Sequence, residues 1–185
     1  MTDAPRITGH VFIASSLDGF IARADHGLDW LISQASEGED HGYDAFIARM
    51  DGVVMGSRSF AKVAGFPEWP YDKPVVVMSE SLSPDDLPDA LQDRVRIARA
   101  RPDRLMAALA EEGWENVYVD GGQVIQSFLK AGLIHEMTIT RVPVLLGAGI
   151  PLFGPTGRDI ALDMVETRVF RSGLVSSTYR LRKGD

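Results

Sequence analysis

Short, largely apolar runs alternate with amphipathic stretches along most of the chain. Runs rich in β-branched residues occur at 11–15, 53–55, 75–79, 95–98, 117–119 and 136–146. Apolar runs of this length are typical of parallel strands that are covered on both faces. Between several of them apolar residues recur at helical spacing, which predicts helices over 43–50, 102–113 and 123–132. The pattern predicts an α/β fold with a mostly parallel central sheet flanked by helices.

The last part of the chain has a different pattern. From 160 to 182 apolar and polar residues alternate, and the dipeptide Ser172-Gly173 interrupts the alternation. Alternation on both sides of a short turn predicts a β-hairpin. We expect this hairpin to form an antiparallel edge of the sheet. Because no shift in composition divides the chain, residues 1–185 are interpreted as one domain.

Composition narrows the classes of function. The net charge is −7 and the pI is about 5.1, which argues against nucleic acid or an anionic membrane as the main partner. There is no cysteine, so disulfides, thiolate nucleophiles and cysteine metal sites are excluded. The four histidines lack metal-ligand spacing, and no metal site is predicted. The N-terminus has no signal-peptide core, and we expect a cytoplasmic protein that acts on a small molecule.

Small and hydroxylated residues follow three of the predicted strands. They are Gly56 to Ser59 after the second strand, Ser79 and Ser81 after the third, and Gly121-Gly122 after the fifth. Open α/β sheets bind ligands at this edge, where glycine lets the backbone approach a phosphate and helix N–H groups face it. Each segment also has a plain structural explanation, because the same residues occur in helix caps and tight turns. Only their combination favours a nucleotide site.

The segments that carry these motifs resemble the dihydrofolate reductase-like superfamily. They are HVFIASSLDGFIA (10–22), VVMGSRSF (53–60) and the stretch from VYVDGGQVIQ to IPLFG (117–154), in the same order along the chain. More narrowly, the chain is similar from about residue 7 onward to the reductase domain of bifunctional riboflavin-biosynthesis deaminase/reductases and to its stand-alone relatives. The zinc signature of the deaminase is absent, in keeping with the lack of cysteine.

This resemblance implies NADPH as the cofactor and assigns residues to it. Ala14 and Ile21 would bracket the nicotinamide carboxamide with their backbones, and Ser79 and Ser81 would lie near the adenosine. Members of the family use a strained link of two glycines, often cis, beside the cofactor. The residues implied to bind the cofactor phosphates are Gly56, Ser57, Arg58 and Ser59 after one strand, and Gly121, Gly122, Gln123 and Val124 after another.

The resemblance also implies the reaction. We expect an NADPH-dependent reductase that transfers hydride to a C=N or C=O bond of a small, heterocyclic substrate. The candidate acids are Asp18, Asp120 and Asp44. Asp120 stands where riboflavin-type reductases usually have glutamate, and the spacing of Asp44 from Gly56 departs from the pterin-binding carboxylate of dihydrofolate reductases, which argues against folate.

Two other classes of function stay open at this stage. A non-catalytic NADP(H)-binding or sensor protein would keep the glycine and arginine motifs but lack a reactive acid beside the nicotinamide. A structural dimer module would have no affinity for NADPH. Asp18 has its own simpler explanation, because an aspartate before glycine often shapes a turn. Since relatives form homodimers, a homodimer is expected.

Overall fold

A computed structural model describes residues 7–34 and 39–182. The strands are β1 (Thr8–Ser16), β2 (Phe20–Ala22), β3 (Gly52–Gly56), β4 (Val75–Met78), β5 (Val95–Ala98), β6 (Asn116–Asp120), β7 (Ile134–Val142), β8 (Ile150–Pro151), β9 (Leu162–Val169) and β10 (Val175–Leu181). The α-helices are α1 (Asp29–Ile32), α2 (Tyr43–Ala48), α3 (Ser57–Ala64), α4 (Pro102–Glu111) and α5 (Gly122–Lys130). Short 3-10 helices cover Pro84–Asp86 and Asp89–Leu91.

Eight strands form one sheet in the order β5-β4-β3-β6-β1-β7-β10-β9. The first six are parallel to their neighbours, whereas β10 runs antiparallel to both β7 and β9. The turn between β9 and β10 holds Gly173 at a φ of 85°. The predicted α/β fold, with a mostly parallel sheet and an antiparallel C-terminal hairpin at its edge, is confirmed.

Both faces of the parallel strands are buried, which explains their apolar sequences. Val54 and Val76 pack in the cluster formed with α4 and α5, whereas Val53 and Val75 pack on the opposite face with α2 and α3. Successive side chains of a strand point to opposite faces of the sheet. A polar residue at any of these positions would therefore be buried in one apolar layer or the other.

One predicted strand is shorter than expected. The apolar run 136–146 forms a strand only as far as Val142. Pro143 has no N–H with which to continue the ladder, and the segment that follows turns toward the end of β1. There the N–H of Leu17 donates to the carbonyl of Val144 at 2.9 Å. The two-stranded β2–β8 ribbon in this region was not predicted.

The strand order creates a crevice at one place on the sheet. From β3 the chain winds outward through α3 to β4 and β5, then returns to β6 beside β3 and continues through α5 toward β7. The helices that follow β3 and β6 lie on opposite faces, although Met55 and Asp120 are paired in register. Open α/β sheets bind ligands at such a reversal of winding.

The helices of the described residues include none that is long and apolar enough to cross a membrane.

Candidate active site

The N-termini of α3 and α5 meet at this crevice. Gly121, directly before α5, has a φ of 90° and a ψ of 134°. A Cβ atom on Gly121 would lie 2.5 Å from the Ser59 Oγ atom and 4.0 Å from the backbone nitrogen of Gly56. A side chain at position 121 would therefore be strained by the backbone and would also occupy the space between the two helix termini.

Charge distribution distinguishes these two helices from the others. Neither α3 nor α5 has a side-chain cap or an acidic residue in its first turn. The first turns of the other α-helices of the described residues contain Asp29, Asp44 and Asp103. A helix N-terminus carries a partial positive charge and unpaired N–H groups. Two such termini that lie together, with no acidic side chain to balance their charge, favour the binding of an anion. Arg58 lies exposed in the first turn of α3 and forms no salt bridge within the described residues.

The second glycine of the pair has a different role. A Cβ atom on Gly122 would lie 2.8 Å from the Ile21 Cδ1 atom and 3.4 Å from the carbonyl oxygen of Pro151. The β2–β8 ribbon thus packs directly over the start of α5. The described residues contain no cis peptide bond, and the link between Gly121 and Gly122 is trans. Gly122 is therefore required by packing within the protein itself.

Asp120 ends β6 beside this junction, and three of the four tyrosines surround it. The hydroxyl of Tyr118 lies 3.3 Å from the Asp120 Oδ1 atom. Burial raises the pKa of Asp120, while the Gly121 backbone N–H and the Tyr118 hydroxyl act in the opposite direction. By accessible surface the residue as a whole is half-buried. Burial and the nearby carboxyl group raise the pKa of Tyr43 to about 12 and also raise that of Tyr71.

Aromatic rings form a wall next to the carboxyl group. The ring of Phe12 lies 5.7 Å from that of Tyr43 and 5.0 Å from that of Phe46. Phe46 in turn makes an edge contact with Tyr118 at 5.1 Å. Such a wall suits a flat, ring-shaped ligand. A cavity of about 160 Å³ continues from Phe12 and Phe46 along the sheet, beside rather than over the glycine pair.

The other two candidate acids lie in different surroundings. Asp44 is exposed in the first turn of α2 and raises the pKa of Tyr43, which places it on the same side of the sheet as Asp120. The carboxylate of Asp18 accepts hydrogen bonds from the Ser16 hydroxyl at 2.6 Å and from the N–H groups of Leu146 and Gly147 at 3.1 and 2.8 Å. Asp18 thus joins the turn after β1 to the loop after β7, and its role as an acid stays a prediction.

The remaining candidate cofactor residues line the same edge of the sheet or support it. Ser79 follows β4, and its Oγ atom accepts hydrogen bonds from the N–H groups of Ser81 and Leu82 at 3.2 and 3.0 Å, which closes a turn. Val124 is buried against Gly56, whereas Gln123 is exposed on the first turn of α5. Ala14 packs on the cluster of Trp30, Val142 and Leu174.

The tyrosine cluster is the feature that sequence reasoning missed. Tyr43, Tyr71 and Tyr118 come from three separate segments, so their approach to one carboxyl group depends on the tertiary fold. One signal was present, however. Tyr118 and Asp120 are two residues apart in a strand, and such residues point to the same face.

The mostly parallel sheet and the antiparallel C-terminal hairpin form the fold of the dihydrofolate reductase-like superfamily, to which the riboflavin-biosynthesis reductases belong. Within it, residues 8–176 match the model of the RibD C-terminal domain. The chain therefore belongs to the RibD C-terminal domain family, and the resemblance seen in the sequence is confirmed.

Relatives of this chain include proteins without a characterised activity. The chain is 35% identical over 164 residues to the uncharacterized protein YwjB of Bacillus subtilis (strain 168), covering 86% of this chain and 90% of that one. The crystal structure of a putative riboflavin biosynthesis protein from Shewanella sp. PV-4 has a TM-score of 0.90 at 38% identity, over 96% of this chain and 100% of that one. A pyrimidine reductase-like protein from Corynebacterium diphtheriae shares the fold, with a TM-score of 0.67 at 16% identity over 96% of this chain and 93% of that one.

The hydrogen bonds of Asp18 generate a prediction about pH. They lower the pKa of its carboxyl group, the Ser16 hydroxyl most strongly. The carboxylate therefore stabilises the folded chain above the pKa of an unfolded aspartate, about 3.9, and this contribution is lost as the pH falls through the lower folded value. We expect Asp18→Asn to lower the midpoint of thermal unfolding at neutral pH, with a difference from wild type that shrinks in acid.

The matched control is Asp72→Asn, which removes the same charge. Asp72 is exposed, and it forms no hydrogen bond or salt bridge with its side chain within the described residues. This control should leave the midpoint close to that of wild type. Equal effects of the two substitutions, or a difference for Asp18 that is independent of pH, would contradict the structural role given to its carboxylate.

Proposed function

We propose that this protein is an NADPH-dependent reductase that acts on a C=N or C=O bond of a small heterocyclic substrate. One observation carries the proposal. Two helix N-termini without caps or acids meet at the reversal of strand order, and a partly desolvated carboxyl group lies directly beside them. Membership of a reductase family supports the same class of reaction.

The residues present at the crevice fit a dinucleotide. Its pyrophosphate suits the N–H groups at the start of α5, where Gly121 leaves the space that a Cβ atom would fill. The first turn of α3 offers the Ser57 and Ser59 hydroxyls and the Arg58 guanidinium to a further phosphate. Ser79 and Ser81 follow β4, the neighbour of β3 in the sheet, and would contact the adenosine. When bound, the cofactor supplies the hydride.

The chain supplies the proton and the orientation of the substrate. Asp120 is the preferred proton donor, because burial raises its pKa and it lies beside the cofactor crevice. The aromatic wall of Phe12, Tyr43 and Phe46 holds a flat ring against the sheet, and Asp44 is placed to bind polar substrate groups at the exposed side of α2.

A non-catalytic NADP(H)-binding or sensor protein is the second candidate. It would need the same helix termini but no proton donor. The environment of Asp120 favours an enzyme, since a buried carboxyl with a raised pKa costs stability and serves no purpose in binding an anionic cofactor. Oxidation of NADPH in a screen of carbonyl and imine heterocycles distinguishes the two.

The first prediction concerns cofactor binding and Gly121. We expect wild-type protein to bind NADPH at low micromolar concentration or tighter, and Gly121→Ala to bind at least about 100-fold more weakly. Backbone strain at a positive φ should also lower the free energy of unfolding of the variant by about 1–3 kcal/mol. Titration of tryptophan fluorescence with NADPH measures the first effect, and urea unfolding measures the second.

Gly113 provides the matched control for strain. It has the same φ of 90°, yet a Cβ atom there would have nothing within 4 Å. Gly113→Ala should lose stability to a similar extent but bind NADPH as wild type does. If wild-type protein gives no saturable signal, or if both variants lose NADPH equally, the proposed site is wrong.

The second prediction concerns the preference for NADPH over NADH. The 2′-phosphate is the charge that distinguishes the two cofactors, and a planar guanidinium suits a phosphate well. Arg58→Ala should weaken NADPH binding by about 10-fold or more and leave NADH nearly unchanged, with a smaller loss at high salt. Titration of both cofactors at two salt concentrations measures this.

Arg101→Ala is the control, since Arg101 is an exposed arginine on the turn before α4 and bonds to Asp103 at 3.2 Å. It should affect neither cofactor. Equal losses of NADH and NADPH in Arg58→Ala would mean that Arg58 contacts a group that the two cofactors share.

We also propose that the protein is a homodimer joined at the β9 edge. Every residue of β9 is exposed, including Met164 at 68% and Val169 at 75%. A long edge strand with exposed apolar side chains tends to pair with another chain, and natural monomers usually protect such edges. A second copy would cover both the unpaired backbone groups and these side chains.

We therefore expect Val169→Lys combined with Met164→Lys to convert a dimer into a monomer in sedimentation velocity. Phe66→Lys is the control, because Phe66 is also exposed, at 44%, and follows α3, which packs on β3 and β4 and not on β9. Wild-type protein that sediments as a monomer at all concentrations would contradict the proposal.

A further inference from the structure

The face of the sheet that α2 covers is apolar on one side of the molecule and polar on the other. Under β3 and β4 it buries Val53 and Val75. On β7 and β10 it carries Thr138, Ser176 and Thr178, of which Ser176 is buried. A buried hydroxyl contributes little apolar packing and needs a hydrogen-bond partner. This part of the face is therefore suited to a polar ligand rather than to a hydrophobic core.

These hydroxyls form part of the floor of the cavity that continues from the aromatic wall. The floor consists of two adjacent cross-strand rows, with Phe12, Thr138, Thr178 and Glu166 in the first and Ser176 and Arg168 in the second. The hydroxyls of Thr138 and Thr178 are 2.9 Å apart. The cavity of about 160 Å³ has room for about five water molecules, at about 30 Å³ each, and thus for a small polar substituent.

The charge of Arg168 in this cavity is already matched by a carboxylate. Its Nε atom donates to the Glu166 Oε1 atom at 2.6 Å, and its Nη2 atom donates to the Oε2 atom at 3.3 Å. The hydrogen bond with Glu166 raises the pKa of Arg168, and the negative charge of Asp40 acts in the same direction. A second anion at Arg168 would be repelled by both carboxylates.

Arg49, the other arginine of the cavity lining, also faces a carboxylate. Its Nη2 atom lies 3.8 Å from Glu136, whose other oxygen atom lies 3.3 Å from Arg180. At the cofactor crevice, by contrast, Arg58 forms no salt bridge within the described residues. An unpaired guanidinium suits a phosphate, so the crevice offers what this cavity does not.

The paired charges suit neighbouring hydroxyl groups instead. A carboxylate only accepts hydrogen bonds and a guanidinium only donates them, whereas a hydroxyl does both. Of two adjacent hydroxyls in a diol, one can donate to Glu166 while the other accepts from Arg168. The hydroxyls of Ser176 and Thr178 can serve further groups of the same ligand as donors or acceptors. The floor of the cavity therefore matches a sugar or a polyol.

We propose that this cavity binds an uncharged, diol-bearing arm of a heterocyclic substrate and gains nothing from a phosphate on that arm. Phe12 and Phe46 belong both to the aromatic wall and to the cavity lining, so a ring held at the wall directs its substituent into the cavity. The inference deepens the proposed function by naming the substrate class, and its catalytic meaning rests on that function.

Four probes with the same ring test the inference without NADPH. They are uracil, uridine, 2′,3′-dideoxyuridine, which lacks the diol, and uridine 5′-monophosphate. Each is titrated into protein labelled with ¹³C at the threonine methyl groups, and binding is followed at the signals of Thr138 and Thr178. Each signal is assigned from its loss in the corresponding Thr→Ser variant, which keeps the hydroxyl. Because both methyl groups are at the cavity, a phosphate bound at the cofactor crevice is not counted.

We expect uridine to bind wild-type protein at least about 10-fold more tightly than uracil or dideoxyuridine, since the hydroxyls bond to charged groups. The monophosphate should bind no more tightly than uridine. Equal affinities for uridine and dideoxyuridine, tighter binding of the monophosphate than of uridine, or unchanged Thr138 and Thr178 signals with all four probes would overturn the inference.

Glu166→Gln tests the role of the ion pair. It keeps the size of the side chain, removes the acceptor charge and leaves Arg168 without its partner. We expect uridine to bind about 5-fold more weakly and the monophosphate about 5-fold more tightly than in wild type, because the freed guanidinium then attracts a phosphate. An unchanged order of affinities would contradict the inference.

Glu112→Gln is the matched control. It removes a carboxylate from the comparably exposed pair with Arg96, at 2.7 Å, at the end of α4 in the opposite layer. The affinities for all four probes should stay as in wild type. Since no cofactor is present, the two proposals fail separately. A diol preference in a protein that does not bind NADPH would reject the reductase alone, and NADPH binding without a diol preference would reject this inference alone.

Discussion

The adjacency of β3 and β6, whose helices leave on opposite faces, is the constraint on which the candidate site depends. The two strands pair in register up to Met55 and Asp120, so their following turns begin at the same level. Although α3 and α5 pack in opposite layers, their first turns lie against each other at Gly121 and Ser59. Helix N-termini favour anions, so the edge proposed to bind a phosphate also carries Asp120, the acid at the end of β6.

The two glycines at this junction are required for different physical reasons. Gly121 adopts a backbone conformation that other residues rarely reach, and it lies against Ser59 of the neighbouring turn. Gly122 has no positive φ, but the Ile21 side chain on the β2–β8 ribbon occupies the place of its missing Cβ. The ribbon is in turn held by the turn after β1, where Gly19 accepts a hydrogen bond from the N–H of Leu152 at 2.9 Å. Gly121 allows the backbone conformation at the crevice, and Gly122 allows the β2–β8 ribbon to pack against the start of α5.

Two opposing electrostatic effects meet at Asp120. The start of α5 favours a negative charge, by about 0.3–1 kcal/mol at an exposed terminus and up to about 2 kcal/mol when partly buried. Burial acts against this effect and raises the pKa of the Asp120 carboxyl group. An anion bound at the same N-termini would disfavour the carboxylate further through repulsion between like charges. Binding of a phosphate and retention of a proton on Asp120 are thus mutually supportive.

The sequence alone determined the layers of the fold and the location of the glycine and hydroxyl motifs. Apolar runs predict buried parallel strands because both faces of such strands are covered, and the small residues after them predict a ligand-binding edge. The ionisation of Asp120 and the structural use of Asp18 were beyond the sequence, because each depends on partners distant along the chain. Tyr43 and Tyr71 approach Asp120 only after the sheet has formed. Leu146 and Gly147 reach Asp18 only because the strand before them ends at Val142. Local pattern fixes which residues are buried, whereas hydrogen bonds and pKa shifts depend on which residues the tertiary fold brings together.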